Sequence, residues 1–184
     1  MKNTLLALLL LITPLSQAAA TKWKIIPEQS VLTFTASQSD SPVTGQFKKF
    51  FGDIDFDPNH LADSSIKIYV AIGSLSTTYP DIQATLVTPD WFNSKVFPQA
   101  VFTATKFTKT ANNIFTADGT LTIRDKTQPV TLTFTLENKG EQTWAKGTTT
   151  IKRTAFGVGN GKWAATDDVK DDVQINFTLT AVKS

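Results

Sequence analysis

The stretch GTLTIRDKTQPVTLTFTL, residues 119–136, alternates threonine with large apolar residues on both sides of one polar break. Val130, Leu132, Phe134 and Leu136 share one side of an extended chain, and Thr131, Thr133 and Thr135 share the other. Leu121 and Ile123 continue the apolar side before the break. Such a period of two marks an antiparallel strand with one face buried and one wet. The spacing predicts a hairpin turn over Arg124–Pro129, with Asp125 in the left-handed backbone region. Pro129 is expected to open the return strand, where a missing N–H does least harm. One question follows. The apolar face either packs against itself as a filled core or lines a space that holds something else.

The pattern recurs. In SSIKIYVAI, residues 64–72, Ile66, Ile68, Val70 and Ile72 lie on one face; in DVQINFTLTA, residues 172–181, Val173, Ile175, Phe177, Leu179 and Ala181 do the same. Weaker strands fit 30–37, 43–56, 100–107 and 143–153, which makes about eight strands in one all-β domain. The exception is DIQATLVTPDWFNSKVFP, residues 81–98. There Thr88 is expected to cap a short helix with Pro89 at its first position, and Trp91 and Phe92 to anchor the insertion on a barrel mouth.

The first twenty residues, MKNTLLALLLLITPLSQAAA, have the form of a signal peptide. Lys2 is the positive start, Leu5–Ile12 the apolar run, and Ala18–Ala20 supply small residues for cleavage, expected after Ala20 or else after Ala18. The run is far shorter than the ~20 residues of a membrane span. Residues 21–184 then form the exported domain, with the periplasm as the expected compartment. A chain without cysteine cannot be acylated as a lipoprotein, and Met1 is its one methionine. The charge balance of 18 basic and 16 acidic residues gives no basic face for nucleic acid.

Groups for catalysis are few. His60, in FDPNHL, is the one histidine and fits an exposed turn; alone it cannot supply a multi-histidine metal site, and no cysteine is available to help. GVGNG, residues 157–161, lacks the strand-before, helix-after setting of a phosphate cradle and is expected to be a loop. No nucleophile elbow is visible, so neither enzyme activity nor a cofactor is expected.

Two features stand above this background. Gly52, Gly119 and Gly147 fall on inward-facing positions, where glycine either leaves volume or lets a strand bend at a barrel corner. Arg153, one of two arginines, has the inward parity of Ile151. Its open uses are a polar headgroup at the barrel mouth, a pair with Asp167 or Asp168, or snorkelling.

The chain resembles the YceI-like family of secreted, lipocalin-like barrels. The resemblance rests on W-x-I-x-P-x-x-S-x-L-x-F (Trp23–Phe34), G-x-F-x-x-F-x-G-x-I-x-F-D-P (Gly45–Pro58), P-D-W-F-N with F-P-x-A-x-F (Pro89–Phe102) and G-x-L-T-I-x-x-x-T-x-P-V-x-L (Gly119–Leu132). R-x-x-F-G-V-G-x-G-x-W (Arg153–Trp163) is similar to the subgroup found beside membrane b-type cytochromes. Gln29 stands where many relatives carry histidine, and Asp125 where they often carry glycine. The resemblance implies an extended eight-stranded antiparallel barrel with a short helical insertion, holding a polyisoprenoid or similar long-chain amphiphile, quinone-like ones included. An interaction module docking on a membrane b-type cytochrome with a filled barrel is the alternative; the oligomeric state is left open. Inward parity and the matched motifs nominate Phe34 and Phe47 from the first strands, and Ile68 and Val70 from the next. Trp91, Phe92 and Phe102 follow around the insertion. Gly119, Leu121 and Phe134 come from the opening hairpin, and Arg153, Phe156 and Trp163 from the last loop.

Overall fold

The computed structural model describes residues 21–184. The expected signal peptide, residues 1–20, lies outside the described residues. The chain makes its first three passes as broken strands. These are β1 (Lys22–Ile25) with β2 (Val31–Gln38), β3 (Ser41–Phe47) with β4 (Phe50–Asp55), and β5 (Ser65–Ala71) with β6 (Leu75–Thr77). The breaks fall at a 3-10 turn over Pro27–Gln29, at Lys48–Lys49, and at a second 3-10 turn over Ile72–Ser74. Five longer strands follow: β7 (Gln99–Ala111), β8 (Ile114–Ile123), β9 (Lys126–Lys139), β10 (Gln142–Lys152) and β11 (Asp172–Lys183).

Antiparallel pairing closes a ring in the order β1-β4-β5-β7-β8-β9-β10-β11, because the end of β11 pairs with β1, Ile25 opposite Ala181. The start of β11 pairs instead with β2, and β3 and β6 extend that side. Eight chain passes therefore form a closed barrel, as expected, with each of the first three split in two. Closure removes the free strand edges that an open sheet exposes.

Parity is as the alternation predicts: in β9, Thr131, Thr133 and Thr135 are exposed while Val130, Leu132, Phe134 and Leu136 point inward. Two details of the hairpin differ. Arg124, not Asp125, takes the left-handed backbone, with φ 56°. Pro129 lies inside β9 opposite Thr120 rather than opening it. The helix also moves. α1 spans Pro80–Leu86, with Pro80 in its first turn and Asp81 beside it. Thr88 sits past its end, and its hydroxyl donates back to the Thr85 carbonyl at 2.7 Å, so it finishes a helix instead of starting one.

The inward glycines are not gaps. A side chain at Gly45 would collide with the Phe34 ring, at Gly52 with Ile68 and the Lys67 carbonyl, at Gly119 with the Phe102 ring and the Thr103 carbonyl, and at Gly147 with the Phe177 ring. Each lets a neighbouring side chain lie flat on backbone. The volume they free is already taken.

Candidate functional site

Two apolar clusters occupy the ends of the barrel. One is aromatic: Phe56 meets Phe107, Phe115 and Phe134 with ring centroids 5.3, 5.7 and 5.8 Å away. The other joins Phe34, Ile72, Leu86, Trp91, Phe156 and Val158, where α1 and the loops after it and after β10 cover one end. Along the barrel, large inward side chains such as Ile68, Val70, Leu121, Leu132 and Ile175 are only half-buried, although they face the interior. They border a cavity of about 1360 Å³, larger than the ~300–1,000 Å³ of common small-molecule pockets. The interior is hollow, not filled.

Part of the reason is local. The inward positions at the middle of β10 are Ala145, Gly147 and Thr149, small residues opposite larger ones: Leu136 and Leu179, Phe134 and Phe177, and Ile175. Ala145 and Thr149 are on the cavity wall. Thr149 donates its hydroxyl to the Thr131 carbonyl at 2.9 Å, which quiets a polar group inside an apolar wall.

The cavity has a closed end and a mouth. At the closed end its wall includes Trp91, Arg153, Phe156 and Val158, all buried. At the opposite end it reaches exposed polar residues on strand tips and turns: Asn59, Lys109, Asn113, Glu137, Glu141 and Lys183. Lys109 and Lys183 lie over the rings of Phe115 and Trp23 at 5.8 Å each. Asp57 also borders this mouth, with its carboxylate held by the Asn59 backbone N–H at 2.8 Å and beside His60 Nδ1 at 3.0 Å. His60 is exposed, as its turn setting predicts.

Most sequence-nominated residues lie on this wall: Phe34, Phe47, Ile68, Val70, Trp91, Phe92, Phe102, Leu121, Phe134, Arg153 and Phe156. Two do not. Gly119 is covered by the Phe102 ring, and Trp163 stands behind Trp91, with ring centroids 5.5 Å apart. Trp91 and Phe92 also belong to the closed end, so the insertion is a plug and not a mouth. The polar mouth residues were missed because exposed charges on hairpin tips carry no motif.

Arg153 corrects the expectation most sharply. It is 3% exposed and directs five donor contacts at backbone carbonyls. Nε reaches Lys170 at 3.1 Å; Nη1 reaches Val158 and Gly159 at 3.0 and 3.1 Å; Nη2 reaches Ala165 and Val169 at 2.8 Å each. A guanidinium has five N–H groups, so none remains for a ligand headgroup. The pairing with Asp167 or Asp168 is absent; Asp168 instead accepts from Ser39 Oγ at 2.5 Å. Burial pushes the Arg153 pKa below its ordinary value, opposed by the charge of Asp171. The GVGNG loop supplies the carbonyls of Val158 and Gly159. Gly157, Gly159 and Gly161 all have positive φ, and a side chain on Gly159 would collide with the guanidinium. Arg124 does similar work, donating to the carbonyls of Pro89 and Gly157 at 2.9 Å and to that of Trp91. Both arginines fasten the plug.

Comparison with known proteins agrees with this architecture. The YceI-like domain family matches residues 23–181. A UPF0312 protein of Photorhabdus laumondii is 32% identical over 149 residues, 78% of this chain and 77% of that protein. The crystal structure of BcnA from Burkholderia cenocepacia superposes with a TM-score of 0.83 at 32% identity, covering 86% of this chain and 99% of that one. A polyisoprenoid binding domain from Saccharophagus degradans shares the fold at a TM-score of 0.70 and 12% identity, covering 88% of this chain and 98% of that one.

Proposed function

This chain belongs to the YceI-like domain family, and from that premise we propose that it is a non-enzymatic periplasmic carrier of a polyisoprenoid or similar long-chain amphiphile. The observation that carries the reading is the hollow interior. A cavity of about 1360 Å³ is walled by half-buried aliphatic and aromatic side chains. At ~30 Å³ per carbon-sized group, the share a water molecule takes in the liquid, that volume has an upper bound of about 45 such groups. Transfer of hydrocarbon from water contributes about 0.8 kcal/mol per CH₂, so a few isoprene units outweigh much of the cost of association. The polyisoprenoid binding domain of Saccharophagus degradans, with the same fold, supports this ligand class. A quinone-like amphiphile fits the same space. Phe102, Leu121 and Phe134 are the residues expected to touch the chain.

Native mass spectrometry of the protein from the periplasmic fraction of its own host, followed by organic extraction, tests the proposal. The expected polypeptide begins at Thr21 and carries a polyprenyl-type compound. Protein with no extractable lipid and no saturable uptake of added isoprenoids would refute the carrier; a full-length membrane-bound species would refute export by cleavage.

A further inference from the structure

The aromatic cluster near the mouth does not line the barrel evenly; it crosses it. Phe56 directly follows β4, whereas Phe134 stands on β9, four places away in the closed ring of eight passes and so on the opposite wall. Their ring centroids are nevertheless 5.8 Å apart, and Phe107 and Phe115, from β7 and β8, pack on Phe56 at 5.3 and 5.7 Å. The root of this bridge is fixed. The Phe56 amide donates to the Thr21 carbonyl at 2.9 Å, and the Phe56 carbonyl accepts from Trp23 Nε1 at 2.8 Å. An eight-stranded barrel is only wide enough for side chains to fill it or for one small ligand, so a bridge of rings divides its lumen in two.

The two halves differ. Behind the bridge, Ala104 and Phe107 of β7 are buried and take no part in the cavity wall. On the other side, Leu136, Ala145 and Leu179, neighbours in register on β9, β10 and β11, are half-buried and border the cavity. Two residues deeper on β10, the Phe177 ring lies over Gly147, along the wall and not across the lumen. The cavity continues on this side to Thr143 and Lys183 at the rim. Resting on the carrier reading, we infer that the ligand enters and leaves through this half of the mouth alone, between the Phe56 bridge and the β9–β10–β11 wall, and that the size of residue 145 sets the width of the passage. The passage takes one extended chain, end-on.

The chain has no cysteine, so a single thiol can be placed on either side of the mouth. Ala145→Cys puts it in the passage. Lys109→Cys puts it on the bridged side, where Lys109 lies over the Phe115 ring at 5.8 Å and borders the mouth. Each folded variant is capped with a benzyl group as a mixed disulfide, and uptake and release of a radiolabelled all-trans C20 prenyl alcohol are timed. The cap on Ala145→Cys should slow both steps by about tenfold or more, and the cap on Lys109→Cys should leave them within about twofold. Because a gate acts on entry and exit alike, Kd should stay within about twofold. Dithiothreitol, which removes the cap, should restore both rates. Should Ala145→Cys fail to fold, Thr143→Cys repeats the test one inward position nearer the rim. A thiol at 145 that the reagent does not reach, equal slowing by both caps or by neither, or a weakened Kd with entry still fast overturns the one-sided passage and leaves the carrier intact. Wild-type protein that takes up no prenyl alcohol overturns the carrier reading and this inference with it.

Discussion

Truncating two neighbours on one face of β9 separates a hollow barrel from a filled one. Phe134 and Leu132 both point inward, but their surroundings differ. Phe134 is 6% exposed and packs on Phe115 and Phe56 at 5.7 and 5.8 Å. Leu132 is half-buried and borders the cavity. Phe134→Ala removes a ring from a close-packed cluster, so both the transfer and the void terms apply and the loss should be about 3–5 kcal/mol. Leu132→Ala enlarges a space that already exists. With no new void to create, the transfer term of a half-covered side chain remains, about 1 kcal/mol. For a domain of this size each kcal/mol moves the midpoint by about 2–4 °C, so the two variants should melt at clearly different temperatures. Urea unfolding of ligand-stripped protein, with equal slopes for both variants, gives the two losses directly. If Leu132→Ala costs as much as Phe134→Ala, the interior beside Leu132 is filled and the carrier argument loses its footing.

Arg153→Lys keeps the charge but brings three donors on a flexible stem where five in a fixed fork are used. Buried carbonyls of Val158, Gly159, Ala165 and Val169 lose partners, so the variant should be destabilised by more than about 3 kcal/mol in urea; a change within about 0.5 kcal/mol would remove the plug-fastening role. Asp57 supplies a pH test at the mouth. The Asn59 backbone N–H, and then His60, hold its carboxyl below the ordinary value. Its contribution to stability is therefore present above the unfolded pKa of ~3.9 and is lost as pH falls through the lower folded value. Stability should decline on acidification below about pH 4, with a shallower decline in Asp57→Asn. A titration midpoint for Asp57 at or above the ordinary carboxylate value, followed by NMR, would reverse the sign.

The barrel was legible because alternation is a local signal: Thr131, Thr133 and Thr135 face water for the same reason that Leu132 and Phe134 do not. What sequence could not supply was the identity of distant partners. Two prolines, Pro80 and Pro89, each satisfy the rule for a helix start; the helix begins at Pro80, and Thr88 bonds back three residues to Thr85 just past its end. Arg124 takes a backbone conformation that its neighbour Asp125 adopts more readily on intrinsic grounds. The guanidinium on that turn holds carbonyls of residues 89, 91 and 157, far away in sequence. Inward glycines could be freed volume or strand bends on sequence alone, because parity does not reveal which ring lies across them.

A hollow barrel gives up dispersion contacts in its middle, and this chain has no disulfide to compensate. Its stability has to come from the ends and the wall. The wall is a ring of paired strands closed by β1 on β11. The ends are the aromatic cluster around Phe56 and the plug around Phe156, which the two arginines tie to backbone carbonyls. The wall between these clusters is left with aliphatic side chains facing space. That middle can change occupant without repacking either end. An occupant that binds only the folded barrel adds stability in proportion to the logarithm of its concentration over Kd. Ligand should therefore raise the unfolding midpoint of Leu132→Ala and wild type alike, while the separate loss from Phe134→Ala persists, because it comes from ring packing on Phe56 and Phe115 that an occupant does not restore.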